Sequence, residues 1–231
     1  MSPKATPAPK PTPAPTATSP AAQRGARRRE RTRLLTLDAA ERLLAERGAD
    51  AIRIEDVADA AGISPASVYT HFGTKDALFA SVTSRLLDTA TASLAAAYAS
   101  PGTPFDRMQA AGIAYIKLLL EHPVVARYLV GDAPIGQSPP AGKRLAEQID
   151  TLRAGFEAVI QAAIDAGELR PLDARLLSYF LFGAWNGVAA LTLTPASTRL
   201  TDQDVEHAIR QAMDILATGA SNGQDPHRVV G

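Results

Sequence analysis

The sequence predicts an all-α chain of about nine helices. Apolar residues recur at three- and four-residue spacings over most of its length, Gly, Pro, Ser, Thr and Asp punctuate those runs as helix ends, and no run of alternating β-branched residues appears. No internal repeat is visible. Pro3, Pro7, Pro9, Pro11, Pro13, Pro15 and Pro20 alternate with Ala, Thr and Lys, so residues 1–26 are expected to be a disordered basic tail with polyproline II character. The helical period starts at Arg27, with Leu37, Ala40 and Leu44 on one face and Arg42, Glu46 and Arg47 on the other. Gly48 supplies the left-handed end.

Ile54, Val57, Ala58 and Ala61 give a short second helix that stops at Gly62. Ser64 can then cap free amides, and Pro65 at the first helical position loses no hydrogen bond, so a third helix starts there with Val68 and Phe72 as its buried edge. Thr74 opens a fourth, with Leu78, Val82, Leu86 and Leu94 inward. Helical periods follow over 105–121 and 123–130, then a Gly/Pro loop from Gly131 to Gly142 and a long segment to Ala166. The stretch from Leu172 to Leu193 is almost wholly apolar and Pro195 breaks it. Thr201 or Asp202 caps a last helix through Leu216. These elements divide into a head over 27–80, a body over 81–219 and a flexible tail over 220–231.

Composition narrows the function. The 231 residues include no Cys, which excludes disulfide scaffolds, thiol catalysis and Cys-based metal sites. No run approaches the roughly 18 to 20 consecutive apolar residues of a membrane span, and Pro and Thr stand where a signal peptide would be apolar. A soluble, cytoplasmic protein without membrane contact is expected. Net charge is zero, yet residues 1–33 hold eight cations against Glu30 alone, leaving 16 cations and 23 acids beyond. A basic front end on an acidic body suits a polyanionic partner.

The stretch from Ile54 to Phe72 has the parts of a helix-turn-helix. Gly62 accepts the positive φ of a tight turn, Ala58 and Ala61 permit close crossing, and Ile63 plugs the space beneath. Pro65, Ala66, Ser67, Tyr69, Thr70 and His71 remain outward. Short neutral side chains there allow close approach to base edges in a major groove.

These residues resemble the TetR family of bacterial transcriptional regulators. The resemblance is carried by Ala39 to Gly48, by Val57-Ala58 with Ala61-Gly62-Ile63-Ser64, and by Val68-Tyr69-Thr70-His71-Phe72-Gly73-Thr74-Lys75-Asp76-Ala77-Leu78-Phe79. It covers residues 27 to 80, and beyond them only helix number and rhythm match. It implies that Pro65, Ala66, Ser67 and Thr70, following the capping Ser64, read bases, and that Tyr69, His71 and Lys75 hold phosphates. Lys75 fits independently, since a cation in a first helical turn opposes the dipole unless an anion is near. Arg53 departs from the pattern: the family carries Thr or Ser there, so a hydroxyl contact to phosphate is missing and Arg53 offers a charge in its place. That leaves the cap of the second helix open. Arg27, Arg28 and Arg29, with Arg24, Arg31 and Arg33, fit an arm on phosphates or in a minor groove; the bland alternative is a solubilising tail.

In the body, a nearly all-apolar helix needs cover on every side, and a second copy of the chain would supply it. Phe180, Gly183, Ala184, Gly187 and Val188, with Ile209, Ala212 and Leu216 of the last helix, are the expected four-helix homodimer contact, which is also how the family dimerises. Tyr115, Phe156, Phe182, Trp185 and Asn186 are the candidate ligand-lining residues, although most such aromatics are ordinary core and Asn186 could equally bond across a dimer axis.

Catalysis finds no support. Gly62-Ile63-Ser64-Pro65-Ala66 loosely imitates a nucleophile elbow, but no strand precedes it. His71, His122, His207 and His227 lack metal-ligand spacing, and no cofactor motif or metal site is expected. The expected function is a sequence-specific DNA-binding regulator, a repressor released from its double-stranded operator by a small, largely apolar effector. The alternative is a helical interaction module whose basic arm binds acidic partners without sequence choice.

Overall fold

A computed structural model describes residues 20–131, 135–194 and 199–220, and they form nine α-helices and one 3-10 turn. The head contains α1 (Pro20–Arg47), α2 (Ile54–Ala61) and α3 (Pro65–Phe72). The body contains α4 (Lys75–Tyr98), α5 (Pro104–Glu121), α6 (Pro123–Leu129), α7 (Pro139–Asp165), α8 (Ala174–Ala190, running into a 3-10 turn over Leu191–Leu193) and α9 (Asp202–Ala220). The predicted end signals are in place. Gly48 and Gly62 sit at φ +73° and +68°, Ser64 Oγ accepts from Ser67 N–H at 3.2 Å, and Thr74 Oγ1 accepts from Ala77 N–H at 3.0 Å.

Boundaries moved at both ends of the chain. The first helix starts at Pro20, so residues 20–26 are helical rather than the expected disordered tail. Ala21, Ala22, Gln23 and Arg24 are strong helix formers, and extending a helix already nucleated at its packed end is nearly free of cost. Residues 1–19 lie outside the described residues, as do Pro195 and residues 221–231. The last helix runs past Leu216 to Ala220.

One hydrophobic core runs through head and body. Leu37, Ala40 and Leu44 of α1 bury against Val57, Ala58, Val68 and Leu78, and Val82, Leu86, Ala90 and Leu94 continue that line down α4 into the body. Helices α4, α5 and α7 pack mutually, with α8 on α7 and α9 on α5 and α8. The stretch Ala174–Leu193 has the length and mean hydropathy, 1.5, to cross a membrane, although only a third of it is buried. The expectation that no segment reaches that level therefore needs correction. Its apolar character comes from two faces: Leu181, Phe182, Trp185 and Ala189 point into the core, while Leu176, Tyr179 and Phe180 face outward.

Two polar junctions form around α4, and the second ties head to body. The Asp76 carboxylate, in the first turn of α4, accepts from the Gln137 and Ser138 amides at 3.0 Å each, pinning the start of α7 to the end of α4 that adjoins the head. Further down α4, Arg85 donates to Asp38 at 2.6 Å and to Glu41 at 2.5 Å, both on α1. His122, at the corner between α5 and α6, approaches the other Glu41 oxygen at 3.3 Å.

Burial pushes the Asp76 carboxyl up, but hydrogen bonds from Ser138, Gln137 and Gly136 together outweigh it and hold its pKa below the ordinary 3.8. A depressed carboxylate pKa contributes stability that is complete above pH 3.8 and lost as pH falls through the folded-state value. Asp76→Ala should cost roughly 1 kcal/mol at pH 7, the net value of hydrogen bonds to a partly solvated carboxylate. Urea melts between pH 2 and 7 should show the gap between wild type and variant closing below pH 4; a constant gap across that range would contradict this account.

Candidate nucleic-acid interface

The turn between α2 and α3 is built by the chain's smallest residues at the point of closest approach. Ala58 is fully buried, Gly62 takes the left-handed bend, and the Ile63 amide returns to the Ala58 carbonyl at 3.0 Å. Val68, also fully buried, locks α3 down on the opposite edge. Ala66, Tyr69 and Thr70 consequently face solvent, with Tyr69 at 48% exposure, while Pro65, Ser67 and His71 are half-buried at the margin. The Thr70 hydroxyl donates to the Ala66 carbonyl at 2.8 Å, leaving its methyl and oxygen lone pairs outward. The tip of α3 is thus shallow and neutral.

Cations surround that tip. Arg53 is exposed at the start of α2. Its backbone N–H donates to Asp56 at 2.7 Å and its side chain makes no cap, so Asp56 rather than residue 53 stabilises this helix end. That resolves the open cap and leaves the Arg53 guanidinium outward. Lys75 lies with Nζ 5.4 Å from the centre of the Phe79 ring, an internal contact that offsets its unfavourable place in the first turn of α4. Arg27, Arg28 and Arg29 are exposed on α1, and Arg28, Arg29 and Thr32 form one wall of a cleft whose other wall is Ser64, Ser67 and His71.

The five candidate ligand residues converge. Tyr115 stacks on Phe182 with ring centres 4.6 Å apart, Phe156 meets Trp185 edge-on at 4.8 Å, and the Tyr115 hydroxyl donates to Asn186 Oδ1 at 2.7 Å. Burial raises the Tyr115 pKa strongly, partly opposed by the Asn186 bond, so the phenol stays protonated and Asn186 is engaged within its own protomer. The rings fill one another's space. Beside them, between α5 and α9, a groove of about 200 Å³ opens over Ile113, Ile116, Ile209 and Met213, with Gln109 and Arg210 at its rim. Gly112 borders both places: a Cβ there would lie 3.0 Å from the Trp185 ring and 3.9 Å from Met213.

The predicted dimer contact is only partly a surface. Phe180 (66% exposed), Gly183, Ala184, Gly187 and Ala212 lie outward, and Val188 and Leu216 are half-buried. Ile209 is a correction: it is 5% exposed, because the helical period of α9 turns Val205, Ile209 and Met213 inward onto its own protomer. The α5–α9 groove and the Arg85–Asp38–Glu41–His122 cluster carried no sequence signal, since their members come from separate segments. Among the described residues, no group of three His, Asp or Glu could hold a metal ion.

The comparisons agree with this geometry. Residues 37–82 match the family model for bacterial regulatory proteins, tetR family, and residues 101–190 match a tetracyclin repressor-like C-terminal domain. The HTH-type transcriptional repressor KstR2 of Mycobacterium tuberculosis is 30% identical over 162 residues, covering 70% of this chain and 78% of its own. A second repressor of that organism, Rv3405c, is 31% identical over 140 residues, 59% of this chain and 66% of its own. The structure of the ketosteroid transcriptional regulator KstR2 superimposes with a TM-score of 0.65 at 24% identity, covering 82% of this chain and 95% of that one. FadR of Bacillus subtilis, solved with stearoyl-CoA, shares the fold with a TM-score of 0.67 at 17% identity, covering 80% and 98%. With an exposed α3 tip ringed by cations on an all-helical body, and a family match in both halves, this chain belongs to the TetR family of DNA-binding transcriptional regulators.

Proposed function

We propose that the protein is a homodimeric, cytoplasmic repressor that leaves its operator when an apolar small molecule enters the body. The observation that carries the reading is the outward face of α3, held rigid by Val68 beneath it and by Ser64 at its start. Pro65, Ala66, Ser67 and Thr70 read bases; Arg53, Tyr69, His71, Lys75 and Arg27 to Arg29 hold phosphates. Replacing Thr70 or Ser67 by Ala should alter base preference, changing the ratio between a duplex selected by the full chain from a random pool and a scrambled duplex roughly tenfold to a hundredfold. Tyr69→Ala and Lys75→Ala should weaken both duplexes alike. Equal losses on both duplexes for all four variants would refute the division into readers and clamps.

Dimerisation through α8 and α9 is supported by two glycines. Gly183 and Gly187 lie inside a helix, where Gly costs roughly 1 kcal/mol relative to Ala, yet a Cβ at either would meet nothing within 4 Å. Nothing in the protomer asks for their smallness, whereas a second helix laid across this face does. Combining Gly183→Ala with Gly187→Ala should raise monomer stability by about 1–2 kcal/mol while weakening the dimer. Sedimentation equilibrium together with thermal melts at low concentration reads both effects; an undiminished dimer would place the contact elsewhere.

For the effector, the aromatic cluster beside the α5–α9 groove is the best-supported site. Relatives point to apolar chemistry: KstR2 is a ketosteroid regulator, and FadR was solved with stearoyl-CoA. An apolar effector would slip past Gly112 and part Trp185 from Phe156. Trp185 is the chain's single tryptophan, so its fluorescence reports the site directly. Titration with stearoyl-CoA and with a ketosteroid should shift its emission for whichever probe also releases the selected duplex. Release without any change in Trp185 emission would move the effector site away from the cluster.

A further inference from the structure

The first half of α1 is largely unpacked in its own protomer, although Arg33 at its inner end holds its guanidinium 5.8 Å from the centre of the Phe72 ring. Residues 20–33 are exposed apart from half-buried Gly25, Thr32 and Arg33, and the first buried residue is Thr36. At about 1.5 Å per residue, some 20 Å of helix therefore projects beyond the packed part of the head. Six of those residues are arginine, and Arg24, Arg27, Arg28 and Arg31 fall at i, i+3, i+4 and i+7, one continuous stripe. Like charges at these spacings repel. The single acid, Glu30, approaches only Arg33, at 3.8 Å.

The stripe meets α3 through Arg28, with Arg29 beside it. Arg28, Arg29 and Thr32 face Ser64, Ser67 and His71 across an open cleft of about 380 Å³. Its walls carry two guanidinium groups and the His71 imidazole, donors suited to phosphate oxygens, beside the Ser64 and Ser67 hydroxyls and a Thr32 hydroxyl that donates to the Arg28 carbonyl at 3.1 Å. We propose that the projecting half of α1 is a rigid second clamp that seats one phosphodiester strand in this cleft, extending the DNA contact beyond the base pairs under α3. The inference rests on the DNA-binding reading above. It replaces the flexible arm by a fixed one, because helix geometry holds Arg28 and Arg29 opposite α3 before DNA arrives.

The test uses the full chain with the selected and the scrambled duplex. Arg28→Gln combined with Arg29→Gln should weaken both duplexes equally, by roughly tenfold to a hundredfold near 0.15 M salt, and reduce the slope of log K against log salt by about 2, the value for two lost phosphate contacts. Hydroxyl-radical footprints should lose protection at backbone positions outside the α3 contacts. Glu30→Pro separates a clamp from a tail: it adds net positive charge but interrupts the helix well before the first buried residue. A clamp loses affinity in this variant with an unchanged melting temperature; a flexible tail binds as tightly as wild type or more so, which would overturn the proposal. An unchanged salt slope in the double Gln variant would overturn it too. Neither result touches base reading by α3, because the Thr70→Ala preference is measured separately.

Discussion

Arg85 fixes the register between the part of the molecule that meets DNA and the part that can sense a ligand. Its guanidinium spans Asp38 and Glu41, which lie three residues apart and hence on one face of α1, so a planar donor meets two carboxylates in a defined orientation. Arg85 sits on α4, the helix shared by both halves of the core. His122 adds a third contact to Glu41 from the α5–α6 corner. The side chains of Arg85, Glu41 and His122 are only 25–29% exposed, so solvent screens them less than an ordinary surface pair. A displacement of α4 against α1 strains both Arg85 bonds, and a displacement of the α5–α6 corner strains the His122 contact.

The remaining architecture follows from what each half must leave uncovered. In the head, α3 is short, capped and held by fully buried Val68 and half-buried Phe72, which leaves Ala66, Tyr69 and Thr70 free for a groove. In the body, α8 keeps Phe182, Trp185 and Asn186 inward and sets Leu176, Tyr179 and Phe180 outward, with Gly183 and Gly187 continuing that outward face. An exposed apolar face of that kind is unstable in water unless another surface covers it. The high hydropathy of α8 is thus the sum of an internal core face and an external one, which is why composition alone resembles a membrane span.

Local signals carried most of the head. Ser64, Pro65, Gly62 and Thr74 each act within three or four residues, so the sequence locates the turn and the caps without tertiary information. The start of α1 was not legible in the same way, because Pro20 reads as the last proline of a tail and only the packed half of the helix shows an apolar stripe. Arg53 shows the opposite case: its residue type suggested a missing cap, while Asp56, three positions later, supplies one to the backbone. In the body, the aromatic set could be named but its pairings could not. Tyr115 and Asn186 are 71 residues apart, and only the crossing of α5 and α8 brings hydroxyl and amide together. Ile209 was misplaced for a related reason, since both faces of α9 offer apolar positions and periodicity does not say which one meets its own protomer.

A junction of this size suits a switch better than a larger one would. A tenfold to hundredfold change in operator affinity corresponds to about 1.4–2.8 kcal/mol of coupling. Charge-assisted hydrogen bonds are each worth roughly 1.5–3 kcal/mol when shielded and less when solvated. Loss of one or two contacts at Glu41 and Asp38 therefore spans the range that a regulator needs. A small ligand can shift an equilibrium only by its own differential affinity for the two states. The polar contacts at Asp38, Glu41, Arg85 and His122 are of that size, and they lie over an apolar core that runs from Leu37 through Val82 to Leu94 and holds α1 on α4.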